Sequence, residues 1–227
     1  PLPSSYVCPA ISQHVVIDGR LDEAAWDLAT VIDDFRIPRS HEPATSRTRA
    51  RIMHDDRFLY VAFDASDPDI QAVHTQRDSD TYRDDVVEVF FSTGQSKPSH
   101  YNFEINAVAT VHDAYHASSD RTKWKQWTAW NCADLRVAAT IDGTLSDSND
   151  RDERWRVEIA IPFASLPTLE GTVPAAGDVW RFHLARIDRS NAPELRAEAK
   201  ELSSCAPLSR TWFHAHDEWV NLVFAPH

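Results

Sequence analysis

Acids, amides and imidazoles stand in this 227-residue chain at positions where a β-protein would ordinarily place hydrocarbon. Glu88 is the first of them. In "TYRDDVVEVFF", residues 81–91, every residue from Val86 to Phe91 is β-branched or aromatic except this one acid. Side chains alternate along a strand, so Val87, Val89 and Phe91 share one face, while Val86, Glu88 and Phe90 share the other. "YNFEIN" repeats the pattern, with Tyr101, Phe103 and Ile105 on one face and Asn102, Glu104 and Asn106 on its opposite. If the two strands are neighbours, Glu88 and these three residues form an outward polar row, with Tyr82 close to where the strand begins. An aromatic plate beside planar hydrogen-bonding groups suits a sugar, whose hydroxyls need directed bonds and whose C–H faces stack on rings. A solvated sheet face with a nearby arginine as partner is the plainer alternative.

Other chemistry is less sharply drawn. Glu88 and Glu104 have the residue types of the paired carboxylates used in glycoside hydrolysis, yet the chain has no G-x-S-x-G elbow, P-loop or H-E-x-x-H. "FHAH" sets His214 and His216 on one side of an extended segment beside Asp217, and "VHDAYH" contains His112 and His116. Paired histidines can ligate zinc or copper, but this spacing alone fixes no tetrahedral site. "DASDPD", "RDSD" and "DSNDRD" offer the hard oxygens that calcium prefers, without EF-hand spacing, and read first as solvated turns. In "KWKQWTAW", Trp124, Trp127 and Trp130 recur every three residues between lysines. An exposed version would be a platform for sugar rings; the favoured reading folds these indoles back over the edge of the core.

The elements that must position these groups are strands. "RWRVEIAIPF" alternates Trp155, Val157, Ile159 and Ile161 with Arg154, Arg156, Glu158 and Ala160, which predicts one face in a core. "RARIM", "RFLYVAF", "DVVEVFF", "HYNFEINAV", "DLRVAATI", "VWRFHLARI" and "WVNLVF" read alike, giving eight or more strands bounded by turn residues. One short N-terminal helix is expected, with Asp22 capping "EAAWDLA". Many short strands and only 5 Gly predict an all-β fold, an antiparallel β-sandwich of two packed sheets with long loops, in a single domain over 1–227. "STGQSKPSH", "DGTLSDSNDRDE" and "RSNAPELRAEAKELSSCAPLSRT" are the long connections, where function commonly resides.

Lys and Arg total 23 against 35 Asp and Glu, a formal net charge of −12, so the electrostatic footprint of nucleic-acid binding is missing. The apolar runs are too short to span a bilayer as helices, and neither a membrane nor a nucleic acid is expected as partner. Three widely spaced cysteines, Cys8, Cys132 and Cys205, allow at most one intrachain bridge and leave the compartment open.

Six stretches together resemble the family 9 carbohydrate-binding modules and the wider DOMON-like β-sandwich group. They are "IDGRLDEAAWDLA" (17–29), "DDRFLYVAFDASDPDI" (55–70), "RDSDTYRDDVVEVFF" (77–91), "YNFEINAVATVHDAY" (101–115), "WRVEIAIPFASL" (155–166) and "FHAHDEWVNLVF" (213–224). The resemblance implies a non-catalytic, monomeric carbohydrate-binding protein that clamps the end of a plant-type glycan (xylan, cellulose or a related glucan) between two aromatic rings. It also implies a structural calcium, with no cofactor required. Tyr82 matches the first ring, Glu88 the hydroxyl-accepting carboxylate, and Asn102 and Glu104 polar positions on the adjoining strand. The second ring departs from the pattern: where the family has Trp in a Ser-Trp-Ser-Pro stretch, this chain has "SSCAPL", with Cys205 at that point. Trp212 or a tryptophan of "KWKQWTAW" is left to supply it. The expected ligand-binding set is therefore Tyr82, Asp85, Glu88, Asn102, Glu104, Asn106, Arg186 and Trp212. The DOMON-like group also raises haem b, for which Met53 and the adjacent His54 are the available ligands.

Overall fold

Alternating apolar and polar side chains build two sheets packed face to face, seen in a computed structural model that describes residues 2–94, 99–118, 120–189 and 200–226. Among the described residues the strands are β1 (Ser5–Cys8), β2 (Thr30–Ile32), β3 (Thr48–His54), β4 (Phe58–Ser66), β5 (Val86–Ser92), β6 (His100–Asn106), β7 (Val111–His116), β8 (Arg136–Asp142), β9 (Arg154–Pro162), β10 (Val179–Arg189), β11 (Lys200–Ser204) and β12 (Val220–Phe224). One sheet runs β1-β12-β10-β5-β6-β7, with β11 also on β10; the other runs β2-β3-β4-β9-β8. The expected all-β sandwich is what forms. Pairing is antiparallel except at the edge, where β1 lies parallel to β12, Ser5 opposite Asn221. These strands come from opposite ends of the chain, so no hairpin dictates their direction.

Phe91, Phe103, Phe182, Trp180 and Leu184 from the larger sheet meet Val61, Phe63, Trp155, Val157 and Ile159 from the smaller in one buried cluster. All three cysteines are buried and free. The helix expected at Asp22 is a single 3-10 turn, Ala24–Asp27, with Glu23 at its N-cap position and no side-chain cap. Tertiary anchoring overrides local propensity there. The α-helical turn α1 instead lies in the tryptophan-rich stretch, Trp124–Trp127.

Glu158 explains the anchoring. It sits on the outer face of β9, yet is buried, accepting hydrogen bonds from Asp18 N and Gly19 N, each 2.8 Å from Oε2, and from Trp26 Nε1, 2.8 Å from Oε1. Gly19 is required for this approach: its φ is +84°, and a Cβ would lie 2.8 Å from the Ala139 carbonyl carbon. The "IDGRLDEAAW" segment is thus pinned flat over the smaller sheet by one carboxylate. Glu158→Ala leaves three donors without their acceptor, and urea unfolding should register a loss of roughly 2–5 kcal/mol. Glu158→Gln, which keeps an oxygen for the two backbone amides, should lose less; a loss within error for the alanine variant would refute the anchor.

Candidate functional site

The register of the larger sheet brings the predicted polar row together. β5 and β6 pair with Glu88 directly opposite Glu104 and Phe90 opposite Asn102, and β7 continues the face with His112 opposite Glu104. Glu88 does point away from the sandwich core, but water does not cover it: Glu88 is 4% exposed and Glu104 8%. Among the described residues no arginine pairs with Glu88. Asn102 Nδ2 donates to Glu88 Oε2 at 3.2 Å, and Thr81 Oγ1 donates to Glu104 Oε2 at 3.0 Å. Desolvation first, and the neighbouring Glu104 second, hold the Glu88 pKa well above the ordinary carboxylate range. Desolvation raises Glu104 too, while His112 and the Thr81 hydroxyl pull it back. Opposed carboxylates in a dry site do not ionise together. Burial raises both members, so the doubly ionised pair is disfavoured and the two carboxyl groups together can offer a hydroxyl donor beside acceptor oxygens.

Tyr82 stands in the 3-10 turn Thr81–Arg83 that leads into β5, its ring 43% exposed and flanked by the Arg83 guanidinium 5.7 Å from the ring centre. Its carbonyl accepts from Arg189 Nη2 at 2.8 Å, which fixes the turn to the end of β10. Thr81, absent from the sequence-based set, reaches Glu104 from this turn; as the residue next to Tyr82 it had no signal of its own.

The remaining predicted residues are placed elsewhere. Asn106 is occupied by the β6–β7 turn: its Oδ1 accepts from Val108 N and Thr110 N, and its Nδ2 donates to His74 O and Asp84 Oδ2. Asp85 is buried, its two oxygens accepting from Gln71 N and Arg189 N, each at 2.5 Å. Arg186 alternates onto the core face of β10 and is fully buried between the sheets, with Nη2 2.9 Å from Asp67 Oδ2. Cys205 is sealed in the core, where burial pushes its thiol up to about 12, so this position supplies no rim group.

Trp212 is 41% exposed and lines a different concavity, a 370 Å³ pocket with Trp124, Trp127, His100, His116 and His214. The tryptophan-rich stretch therefore divides: Trp127 is buried, Trp130 packs on the core, and Trp124 is exposed at this pocket. Histidines pair across strands rather than along the sequence. His116 stacks on His100, and His100 Nε2 lies 2.9 Å from His214 Nδ1. His112 lies opposite Glu104, and His216 lines the pocket without joining this trio. His100 was overlooked, although it shares the i, i+2, i+4 face with Asn102 and Glu104. A larger concavity of 610 Å³ lies at Phe58 and Phe163, but Arg57 and Arg136 cover the Phe58 ring at 5.2 and 4.9 Å, leaving no open aromatic plane.

For calcium, the fitting donors are Asp67, Asp85 and Asp188, whose carboxylate oxygens lie within 4.8 Å of one another. Three acids share one buried guanidinium, Arg186, and desolvation leads the causes that push Asp67 up to about 6 and Asp85 well above its ordinary value. Hard oxygen donors with excess negative charge match calcium chemistry, and Asp67 and Asp188 line a 400 Å³ surface pocket. Haem does not fit. Met53 lies in the apolar cluster under Trp26, while His54, on the opposite strand face, contacts Asp55 O, Ala225 O and the edge of Phe224. Successive strand residues cannot converge on one iron.

Comparison with known proteins agrees with this architecture. A Bacteroides uniformis crystal structure, provisionally assigned to carbohydrate binding, superposes with a TM-score of 0.70 at 16% identity, covering 97% of this chain and 99% of that one. A family 9 carbohydrate-binding module from Caldicellulosiruptor kristjanssonii superposes at 0.66 in its glucose complex, with 16% identity over 98% of this chain and 96% of that one. Its cellotriose complex gives 0.63, again at 16% identity, over 98% and 94%. At that identity the likeness speaks for the fold. Exoglucanase XynX of Acetivibrio thermocellus is 26% identical over 167 residues, 74% of this chain but 13% of the enzyme. The chain thus spans about one eighth of the curated relative it matches. The profile of the carbohydrate family 9 binding domain-like family matches residues 17–214, and the chain belongs to that family.

Proposed function

We propose that this protein binds the end of a β-glucan or related plant-type glycan on the outer face of its larger sheet, without cleaving it. The observation that carries this reading is the opposed Glu88–Glu104 pair with Asn102, held to the turn of the exposed Tyr82 by the Thr81 hydroxyl bond to Glu104. A sugar hydroxyl donates and accepts at once, and a carboxyl pair that does not ionise fully offers both a donor and acceptors. Tyr82 offers an apolar plane for the pyranose C–H face. Family membership and the glucose and cellotriose complexes of the structural neighbours support the ligand class. Asp67, Asp85 and Asp188 would hold a calcium ion that neutralises the acids behind β5 and so stiffens the strand bearing Glu88.

Calorimetry with cellotriose should show Tyr82→Ala weakened severalfold, the loss of roughly 1 kcal/mol or more of stacking. Glu88→Ala should be weakened further, with little change in the unfolding midpoint of the tyrosine variant. Binding unaltered in both, or release of shorter sugars by wild-type protein, would refute the reading.

The pH dependence follows from the raised Glu88 pKa. A carboxyl whose folded pKa exceeds its unfolded value stabilises fully below the unfolded value, and that contribution is lost as pH rises through the folded one. Wild type minus Glu88→Gln should therefore show a stability difference that turns against wild type as pH rises above about 4, the ordinary carboxyl value, toward the alkaline range. Urea unfolding across that range tests it; a difference moving the other way would mean an ionised, stabilising Glu88. Calcium should raise the thermal midpoint of wild type and EGTA reverse the rise, with Asp188→Asn insensitive to both. A wild-type midpoint indifferent to calcium would remove the ion.

A further inference from the structure

Three imidazoles from three chain segments converge at the far end of the same sheet face. His100 on β6 lies directly opposite His116 on β7, their rings stacked at 4.3 Å and 6°. His214 descends from the connection before β12, its Nδ1 2.9 Å from His100 Nε2. One ring nitrogen of each lies within 4.8 Å of the other two. His116 is 1% exposed, and its Nε2 is buried with no hydrogen-bond partner among the described residues. Buried polar atoms rarely remain so.

We propose that His100, His116 and His214 form a binding site for one divalent transition-metal ion, zinc by preference, with a fourth coordination position open to the tryptophan-lined pocket. Imidazole nitrogens about 2.1 Å from a tetrahedral zinc stand about 3.4 Å apart. The 2.9 Å gap between His100 and His214 must widen by about half an ångström, and one of the stacked His100 and His116 rings must turn so that its in-plane lone pair meets the ion. Burial keeps imidazole neutral, the form that ligates metals. No carboxylate belongs to the trio, which disfavours calcium and magnesium and selects a borderline ion. Trp124, Trp127 and Trp212 wall the pocket, and the Arg210–Asp217 ion pair, at 2.5 Å, lies among its lining residues. Three protein nitrogens and a vacant position are the arrangement of zinc sites that accept an exchangeable small ligand, an oxygen or nitrogen donor. This site is independent of the glycan reading, which rests on Glu88 and Tyr82.

Zinc chloride titrated into chelator-treated protein, against a chromophoric competitor, tests the proposal. Wild type should take up one equivalent with a Kd in the micromolar range or tighter. Cobalt should give the intense visible bands of a four-coordinate ion. His116→Gln and His214→Gln should each weaken uptake by roughly 100-fold, with circular dichroism confirming the fold. His214 is half-buried on a loop, so its variant decides the matter if the His116 variant does not fold. His216→Gln, in the pocket wall but outside the trio, should bind as wild type does. Absence of stoichiometric uptake, survival of uptake in a folded variant of the trio, or equal loss in His216→Gln would overturn the site.

Discussion

An arginine sealed between two sheets sets the geometry on which everything else depends. Arg186 rises from β10 and crosses the sandwich: Nη2 reaches Asp67, Nη1 reaches Ser66 O at 2.9 Å and Arg47 O at 3.3 Å, and the guanidinium carbon lies 5.9 Å from the Trp155 ring centre. A buried ion pair adds little net stability against a hydrophobic replacement, but half of one is severely unfavourable. Arg186 therefore permits one slide of the larger sheet over the smaller. β10 in that position pairs with β5 from Arg181 opposite Ser92 to Ile187 opposite Val86. Asp85 locks the start of β5 by exchanging hydrogen bonds with the Gln71 backbone and accepting from Arg189 N. A slip of one residue would turn Glu88 into the core. The outward direction of the polar row is thus a consequence of polar contacts on the inward side.

The two outer faces treat their buried acids differently, and the contrast separates scaffold from site. Glu158 is matched by three donors at 2.8 Å, two of them backbone amides, and holds a loop in place. Glu88 has one described donor, at 3.2 Å, and faces a second acid. Evolution of a stable sheet alone would favour hydrocarbon there, since opposed carboxylates out of water oppose folding. The glycan proposed above would bring hydroxyls to a pair that has few partners among the described residues.

Strand positions and the faces of their side chains were legible because period-two alternation records which way each residue points. What covers a face leaves no such trace. "VVEVFF" and "HYNFEIN" place Glu88, Asn102 and Glu104 outward correctly, yet Phe213 and Trp219 lie over Phe90 on that face, so outward does not mean solvated. The long connection holding these residues has no periodicity to announce where it folds, and residues 190–199 of it lie outside the described residues. The 95–98 stretch of "STGQSKPSH" lies outside them as well. Histidine grouping failed for a related reason: neighbours in sequence, His112 with His116 and His214 with His216, suggested pairs, whereas sheet register groups His100 with His116. Asp85, Asn106 and Arg186 share the residue types of sugar-binding groups and serve the backbone and core instead. Type alone cannot separate a ligand contact from a turn or an inter-sheet bridge.

Cys205 in the core changes what kind of recognition this face can perform. With two rings, a stacked sugar gains apolar contact from both sides, and that contact is tolerant, since every pyranose presents a C–H face. Here Tyr82 shares a turn with Thr81, whose hydroxyl donates to Glu104, while Trp212 lines the histidine pocket. On the proposed glycan reading, affinity would then come in larger part from Glu88, Glu104 and Asn102. Hydrogen-bonded recognition in a dry site is intolerant: a sugar lacking one hydroxyl leaves a buried acid unpaired, a penalty of roughly 1–3 kcal/mol, more for the charged partner. One lost stacking ring costs roughly 1 kcal/mol. The exchange lowers affinity modestly and sharpens discrimination more, because the penalty for a wrong ligand exceeds the stacking energy forgone.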